Sequence, residues 1–253
     1  MVLCPHCERL WLSVLMQDRR AIALFWLPVK AVSTVYSADN TESSLRNRSI
    51  QPRPISKVRL DGGRLCLNFV NTIHDRHAPA LEDYIVTAER FFEWSLRAGA
   101  IESSRNRSRR LQSPRAASTL GADVRRLRAR LHTLFSALID GAPVPTAAVH
   151  ELDKWIHRAW RQMHVDPSAT GWLRRIKPRP AHHEPLEAIA LSALELLRTS
   201  DLARLRRCQA PNACGWLFYD DTKNGSRRWC SMSNCGVFFK MRRYRTRNRV
   251  AGA

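Results

Sequence analysis

The stretch 208–249 reads CQAPNACGWLFYDDTKNGSRRWCSMSNCGVFFKMRRYRTRNR and decides the reading of the chain. It holds Cys208, Cys214, Cys230 and Cys235, spaced C-x5-C, fifteen residues, then C-x4-C. Two cysteine pairs brought together by a turn supply four soft thiolates at a tetrahedron, the preferred set for structural zinc. A glycine follows Cys214 and another follows Cys235. Such glycines are expected to take positive φ and aim backbone N–H groups at the sulfurs. One Zn2+ per chain is therefore expected. Between the pairs, WLFYD reads as a short strand and KNGS as a turn, with Asn224-Gly225 as a hairpin signal. A hairpin of this size buries too little surface to fold alone, and metal binding would supply the missing stabilisation.

The same stretch concentrates charge. The whole chain of 253 residues has 42 Lys+Arg against 22 Asp+Glu, a formal net charge of +20. Residues 204–249 hold twelve of the basic residues and two acidic ones, Asp220 and Asp221. Such an excess suits a polyanion, either nucleic acid or an anionic membrane surface. The segment after Cys235 has good helix formers and no breaker, so a basic helix is expected there. Arginine dominates, which favours bidentate contacts to phosphate or guanine. The candidate nucleic-acid contacts are Lys223, Arg227, Arg228, Lys240, Arg242, Arg243, Arg245 and Arg247.

Upstream, 59–200 reads as a mainly helical domain. GGRLCLNFVNTI at 62–73 fits strand and helix periods in part, and its type stays open. Apolar residues at helical spacing predict helices over 81–99, 123–140, 146–163 and 185–199, with Gly99 and Gly141 as stops. In the second, Arg125, Arg126, Arg128 and Arg130 are expected on a solvated face; in the third, Val149, Leu152, Ile156 and Ala159 are expected inward. These stripes give the segment its own core, so it is expected to fold without zinc. Serine-rich 102–118 and proline-bearing 166–185 read as loops. Neither a Ser-His-Asp order, a glycine-rich phosphate loop nor paired carboxylates on one face can be made out, so no catalytic role is expected.

Residues 1–58 read as a poorly ordered extension. CPHC at 4–7 is a lone C-x-x-C, too little to make a metal site by itself. Arg19-Arg20 and the apolar run after it faintly suggest a secretory leader read from Met16, but Lys30 interrupts that run. With seven cysteines, an odd count, and a reduced four-thiolate site, a cytoplasmic chain is expected. No run of 18 uncharged apolar residues occurs, so no membrane span is expected.

The tail resembles the CGNR zinc finger family in CGWLFYD, KNGSRRWCSM and the final Cys-Gly. GGRLCLNFVNT and SALELLRTSDLARLRRC resemble the ABATE domain that precedes this finger. The resemblance covers about 59–249. It implies a mainly α protein: a helical domain over 59–200, then over 201–249 a Cys4 finger with a short β-hairpin and a basic helix. It further implies a bacterial transcription regulator that binds double-stranded DNA, with a small-molecule effector or a homodimer as further expectations. Where the family has Asn-Arg after the last Cys-Gly, this chain has Val237-Phe238. Two other readings stay open. An RNA-binding or ribosome-associated zinc protein would stack bases on Trp216, Tyr219 and Trp229. An enzyme would need a buried polar pocket in the helical domain.

Overall fold

A computed structural model of the chain describes residues 53–74, 82–101, 113–165, 173–175, 181–199, 201–210 and 214–251. The CPHC pair, most of the 1–58 extension, and much of the 102–118 and 166–185 loops lie outside the described residues.

The open segment at 62–73 is a helix, α1 (Leu65–Val70), then a two-residue strand, β1 (Ile73–His74), paired antiparallel with β2 (Glu82–Asp83). Cys66, Leu67, Phe69 and Val70 are all fully buried, which explains why each period fitted only in part: apolar side chains leave α1 on several sides. The expected helix over 81–99 shortens to α2 (Ala88–Arg97). Asp83 is held in the hairpin, and Thr87 starts the helix by accepting the Arg90 N–H at 3.3 Å.

The expected helix over 123–140 is longer, α3 (Pro114–Asp140). Ser113 caps it by accepting from the Ala116 N–H, Pro114 needs no donor in the first turn, and Gly141 closes it at φ +62°. Leu120, Val124, Leu127, Leu131, Leu134 and Phe135 form its buried stripe. Arg128 departs from the expected solvated face. It is 3% exposed, its guanidinium donates to Thr72 Oγ1 at 2.9 Å, and it pairs with the Asp83 carboxylate. A charge so buried requires such a partner, and this one ties α3 to the β1–β2 hairpin.

Next come α4 (Thr146–Trp160), a hairpin of β3 (Met163–Val165) and β4 (Leu173–Arg175), and α5 (Glu184–Thr199). In α4 it is Ala148, Leu152, Trp155, Ile156 and Ala159 that point inward, whereas Val149 is exposed. Between α3, α4 and α5 lies a buried polar chain. Asp123 Oδ2 stands 3.4 Å from His183 Nε2, Arg158 bonds His183 Nδ1 at 2.8 Å, and Arg158 Nε donates to Glu187 at 2.9 Å. Burial, with Arg158 beside it, pushes His183 down to about 3, so it stays neutral and joins the packing as an uncharged group.

The last strands are β5 (Leu205–Arg207) and β6 (Leu217–Tyr219), antiparallel, with Leu205 opposite Tyr219. The WLFYD strand is present, but its partner lies before Cys208 rather than after Asn224-Gly225. The 222–225 segment still turns, with Gly225 N–H bonded to Thr222 O, yet the chain beyond it does not return as a strand. A turn of π-helix (Met232–Gly236) leads into α6 (Val237–Ala251). The molecule is thus mainly helical, with short two-stranded hairpins.

The β5–β6 hairpin shares one hydrophobic core with α1–α5: Leu205, Cys208, Trp216, Leu217 and Phe218 belong to the same buried cluster as Phe69, Leu131 and Leu186. Ile50–Ala253 form one compact unit.

Candidate metal centre and nucleic-acid interface

The metal centre grows out of the hairpin ends. Cys208 follows β5 directly, and its N–H donates to Trp216 O at 2.8 Å, closing the loop that carries Cys214. Gly215 takes φ +60°, as expected for a ligand-following glycine. Gly236 does not have positive φ; it lies in the π-turn, where a Cβ would stand 3.1 Å from Met232 Sδ. Its small size is used for close packing beside Cys235.

The four sulfurs meet. All are buried, and their atoms lie within 4.8 Å of one another. Cys214 Sγ is 3.7 Å from Cys230 Sγ, and Cys230 Sγ is 3.6 Å from Cys235 Sγ. Four zinc–sulfur bonds of about 2.3 Å in a tetrahedron give sulfur–sulfur edges of about 3.8 Å. The donor set therefore fits one Zn2+. Sulfurs this close compete for protons when no cation is present. Hydrogen bonds from the Cys214, Cys230 and Cys235 thiols lower the Cys208 pKa, and those same contacts raise Cys214 and Cys230. A divalent cation is what allows all four to ionise together.

Around the sulfurs sits a layer that sequence reasoning did not single out. Arg59 Nη2 stands 3.9 Å from Cys230 Sγ, and its guanidinium lies 4.7 Å over the Trp216 ring. Burial alone would lower the Arg59 pKa, but the charges of Cys230, Asp61 and Cys235 outweigh it and the net shift is upward. A cation fixed here offsets the net negative charge that four thiolates leave around zinc.

A second unpredicted contact completes the hairpin edge. Leu217 N–H and C=O point away from β5, and the buried Asn71 side chain takes both: it donates to Leu217 O at 2.7 Å and accepts from Leu217 N at 2.9 Å. Tyr219 N–H donates to Gly62 O at 2.9 Å along the same edge, and Trp216 Nε1 donates to Ile73 O at 2.9 Å. Residues 62–73 thus serve as the missing neighbour of β6.

The eight candidate nucleic-acid residues divide. Lys223 and Arg228 are exposed on the finger, with Arg228 Nε donating to Gln209 at 3.0 Å. Lys240, Arg242, Arg243, Arg245 and Arg247 lie along α6, where all five are exposed. Arg227 differs. It is half-buried, lies 4.5 Å over the Phe218 ring, and donates to Trp229 O, Asp61 O and Cys230 O. Its guanidinium is committed to carbonyls beside the metal site, so it acts as a strut. Its own N–H goes to the buried Asp220 carboxylate at 2.8 Å. A cavity of about 460 Å³ opens beside Cys208, lined by Ile139, Leu205, Arg206, Arg207, Gln209 and Arg227.

Residues 63–200 match the family model of the ABATE domain, described as "Putative stress-induced transcription regulator". The chain belongs to the ABATE family. Residues 204–248 of this ABATE protein match the CGNR zinc finger. No curated protein matches the chain. The two family segments meet where residues 62–73 line the free edge of β6, and both are regulatory or zinc-binding by description. Among the described residues, no helix is long and apolar enough to cross a membrane.

Proposed function

We propose that this ABATE protein is a bacterial, cytoplasmic transcription regulator that binds double-stranded DNA through its zinc-supported tail. The observation that carries the reading is α6. Its residues 237–248 include five lysines and arginines and no acid, and they leave the metal centre directly after Cys235 and Gly236. Zinc fixes where that helix starts, so the cations lose less freedom on contacting phosphate. In this reading, 201–249 is the DNA-binding segment, and 59–200 receives an effector or a second copy of the chain. The cavity beside Cys208 is the site we favour for an effector, because it lies against both family segments and carries Arg206 for an anionic group, while Arg207 is already paired with Asp140.

The RNA reading loses support from burial. Trp216 and Tyr219 are packed inside, and Trp229 packs against Phe239 at 5.3 Å, tilted by 39°, with Arg228 over its ring, so these rings are not free for bases. We propose no catalytic role: Arg158 bonds both His183 and Glu187 and ties α4 to α5, although His183 Nε2 and Glu187 Oε2 are left without a hydrogen-bond partner among the described residues. The test is titration of zinc-loaded protein with duplex DNA and with structured RNA at matched salt. Tighter duplex binding supports the reading, and equal or tighter RNA binding overturns it.

A further inference from the structure

Helix α6 is exposed on nearly every side, yet its residues are not distributed evenly. At about 100° per residue, Val237, Met241, Tyr244 and Asn248 fall within a stripe about 60° wide. Val237, Met241 and Tyr244 are 44%, 51% and 67% exposed, and Asn248 is exposed as well. Arg242 and Arg245 run along one side of this stripe, with the 44% exposed Phe238 between their directions at the helix start; Lys240, Arg243 and Arg247 run along the other. Phe239, half-buried against Trp229, lies about 170° away from the stripe's centre. The anchored side of the helix therefore faces the protein, and the stripe faces directly away from it.

A stripe of exposed apolar groups does not by itself name its partner. The cations do. Two rails of positive charge with no acid between them repel a second copy of α6 and fit an anionic surface. A flat anionic surface would meet one broad cationic face. Two rails separated by an uncharged ridge instead match a groove with phosphates on both walls and uncharged base edges on its floor. Twelve residues from 237 to 248 span about 17 Å, a length the major groove admits.

We propose that α6 lies in the DNA major groove with Met241, Tyr244 and Asn248 on the base edges, Arg242 and Arg245 on one phosphate wall, and Lys240, Arg243 and Arg247 on the other. The inference rests on the DNA-binding reading above and adds which residues read sequence. Asparagine pairs with adenine through its N6 and N7, and apolar side chains contact the thymine methyl. The ridge has no arginine to read guanine. The chain therefore selects A·T-containing sites, and Val237, where the family has asparagine, adds apolar contact at the start of the ridge.

The experiment uses zinc-loaded full-length protein and selection from a randomised duplex pool, followed by titration of the selected duplex and its single-base variants. The selected site is expected to be A·T-rich, and replacing thymine by uracil weakens binding by removing the methyl. Asn248→Ala is expected to relax discrimination at one base position by roughly 5- to 150-fold, with the salt slope unchanged. The double variant Arg243→Ala with Arg247→Ala is expected to weaken all duplexes alike and lower the log–log salt slope by about 1.8. These side chains are exposed, and one zinc per chain in each variant confirms an intact finger. A guanine-rich selected site, or Asn248→Ala behaving like the rail variant, overturns the ridge assignment while leaving DNA binding in place. No duplex binding by the unaltered protein overturns both.

Discussion

Replacing Asn71 with alanine should cost more stability than any surface change in this protein. The Asn71 side chain makes two hydrogen bonds, at 2.7 and 2.9 Å, to the backbone of Leu217, and both residues are buried. Alanine would leave the Leu217 N–H and C=O unpaired in a site that has no exposed surface. Each unsatisfied buried group costs about 1–3 kcal/mol, so the loss is about 2–6 kcal/mol. Small domains have roughly 5–15 kcal/mol in total, which makes this a large fraction. Urea unfolding of the zinc-loaded protein, followed by helical circular dichroism and by tryptophan fluorescence, measures it. Asn71→Asp keeps the acceptor for Leu217 N–H but sets a carboxylate against Leu217 O, so it should not restore wild-type stability. Because Asn71 joins α1 to β6, the variant should also release zinc to a chelator faster. A change below about 0.5 kcal/mol in the midpoint-derived stability, the range of an ordinary surface substitution, would refute the reasoning.

Cys214→Ser should drop zinc below one per chain, and because the hairpin shares the core of α1–α5, the loss should also lower the melting temperature of the helical part; zinc binding should weaken as pH falls, since each thiolate must be deprotonated, and metal analysis across pH checks both. Arg227→Ala should lower the melting temperature by removing the donor from three carbonyls, whereas Arg228→Ala should leave stability unchanged and reduce only the salt slope of DNA binding; equal effects on both readouts would count against the division. Arg128→Ala should cost about 3–5 kcal/mol by leaving Asp83 and Thr72 without their buried partner, measured by denaturant unfolding. Burial would raise the Asp220 carboxyl, but donors from Thr222 and Arg227 outweigh it and hold it below the ordinary 3.8; its contribution is therefore present above pH 3.8 and lost as pH falls through the lower folded value, and Asp220→Asn should remove that acid dependence.

The metal ligands were legible in the sequence because zinc chemistry is local: four cysteines at turn spacing, with Gly215 freeing the backbone. The helices within 123–199 were legible for a similar reason, since their apolar stripes repeat at helical spacing over many residues; the first turns of α3, from Pro114, were read as loop because serine and basic residues dominate there. The rest depends on contacts far apart in sequence. Asn224-Gly225 signals a local turn and is one, but which strand pairs with 217–219 is decided by Leu205–Arg207, upstream of Cys208. Arg128 and Arg227 have the residue type of a solvated or phosphate-binding face, and only carbonyls and carboxylates distant in the chain reveal that Arg128 is buried and that Arg227 is half-buried and bonded within the fold. Asn71 carried no signal of its own within NFVNT. The shared core also changes the outlook for an isolated 59–200 fragment. Without β5 and β6 it would expose α1, so it should be markedly less stable than the full chain, despite the stripes of its own helices.

The most direct test of the account is the salt dependence of duplex binding by the zinc-loaded chain, compared with a variant in which Arg242, Arg243, Arg245 and Arg247 are all glutamine. If α6 carries the phosphate contacts, the log–log slope should fall by up to about 3.6, at about 0.9 for each phosphate no longer neutralised, with one zinc still bound per chain. An unchanged slope at full zinc content would contradict the account, because the affinity would then come from cations elsewhere on the molecule.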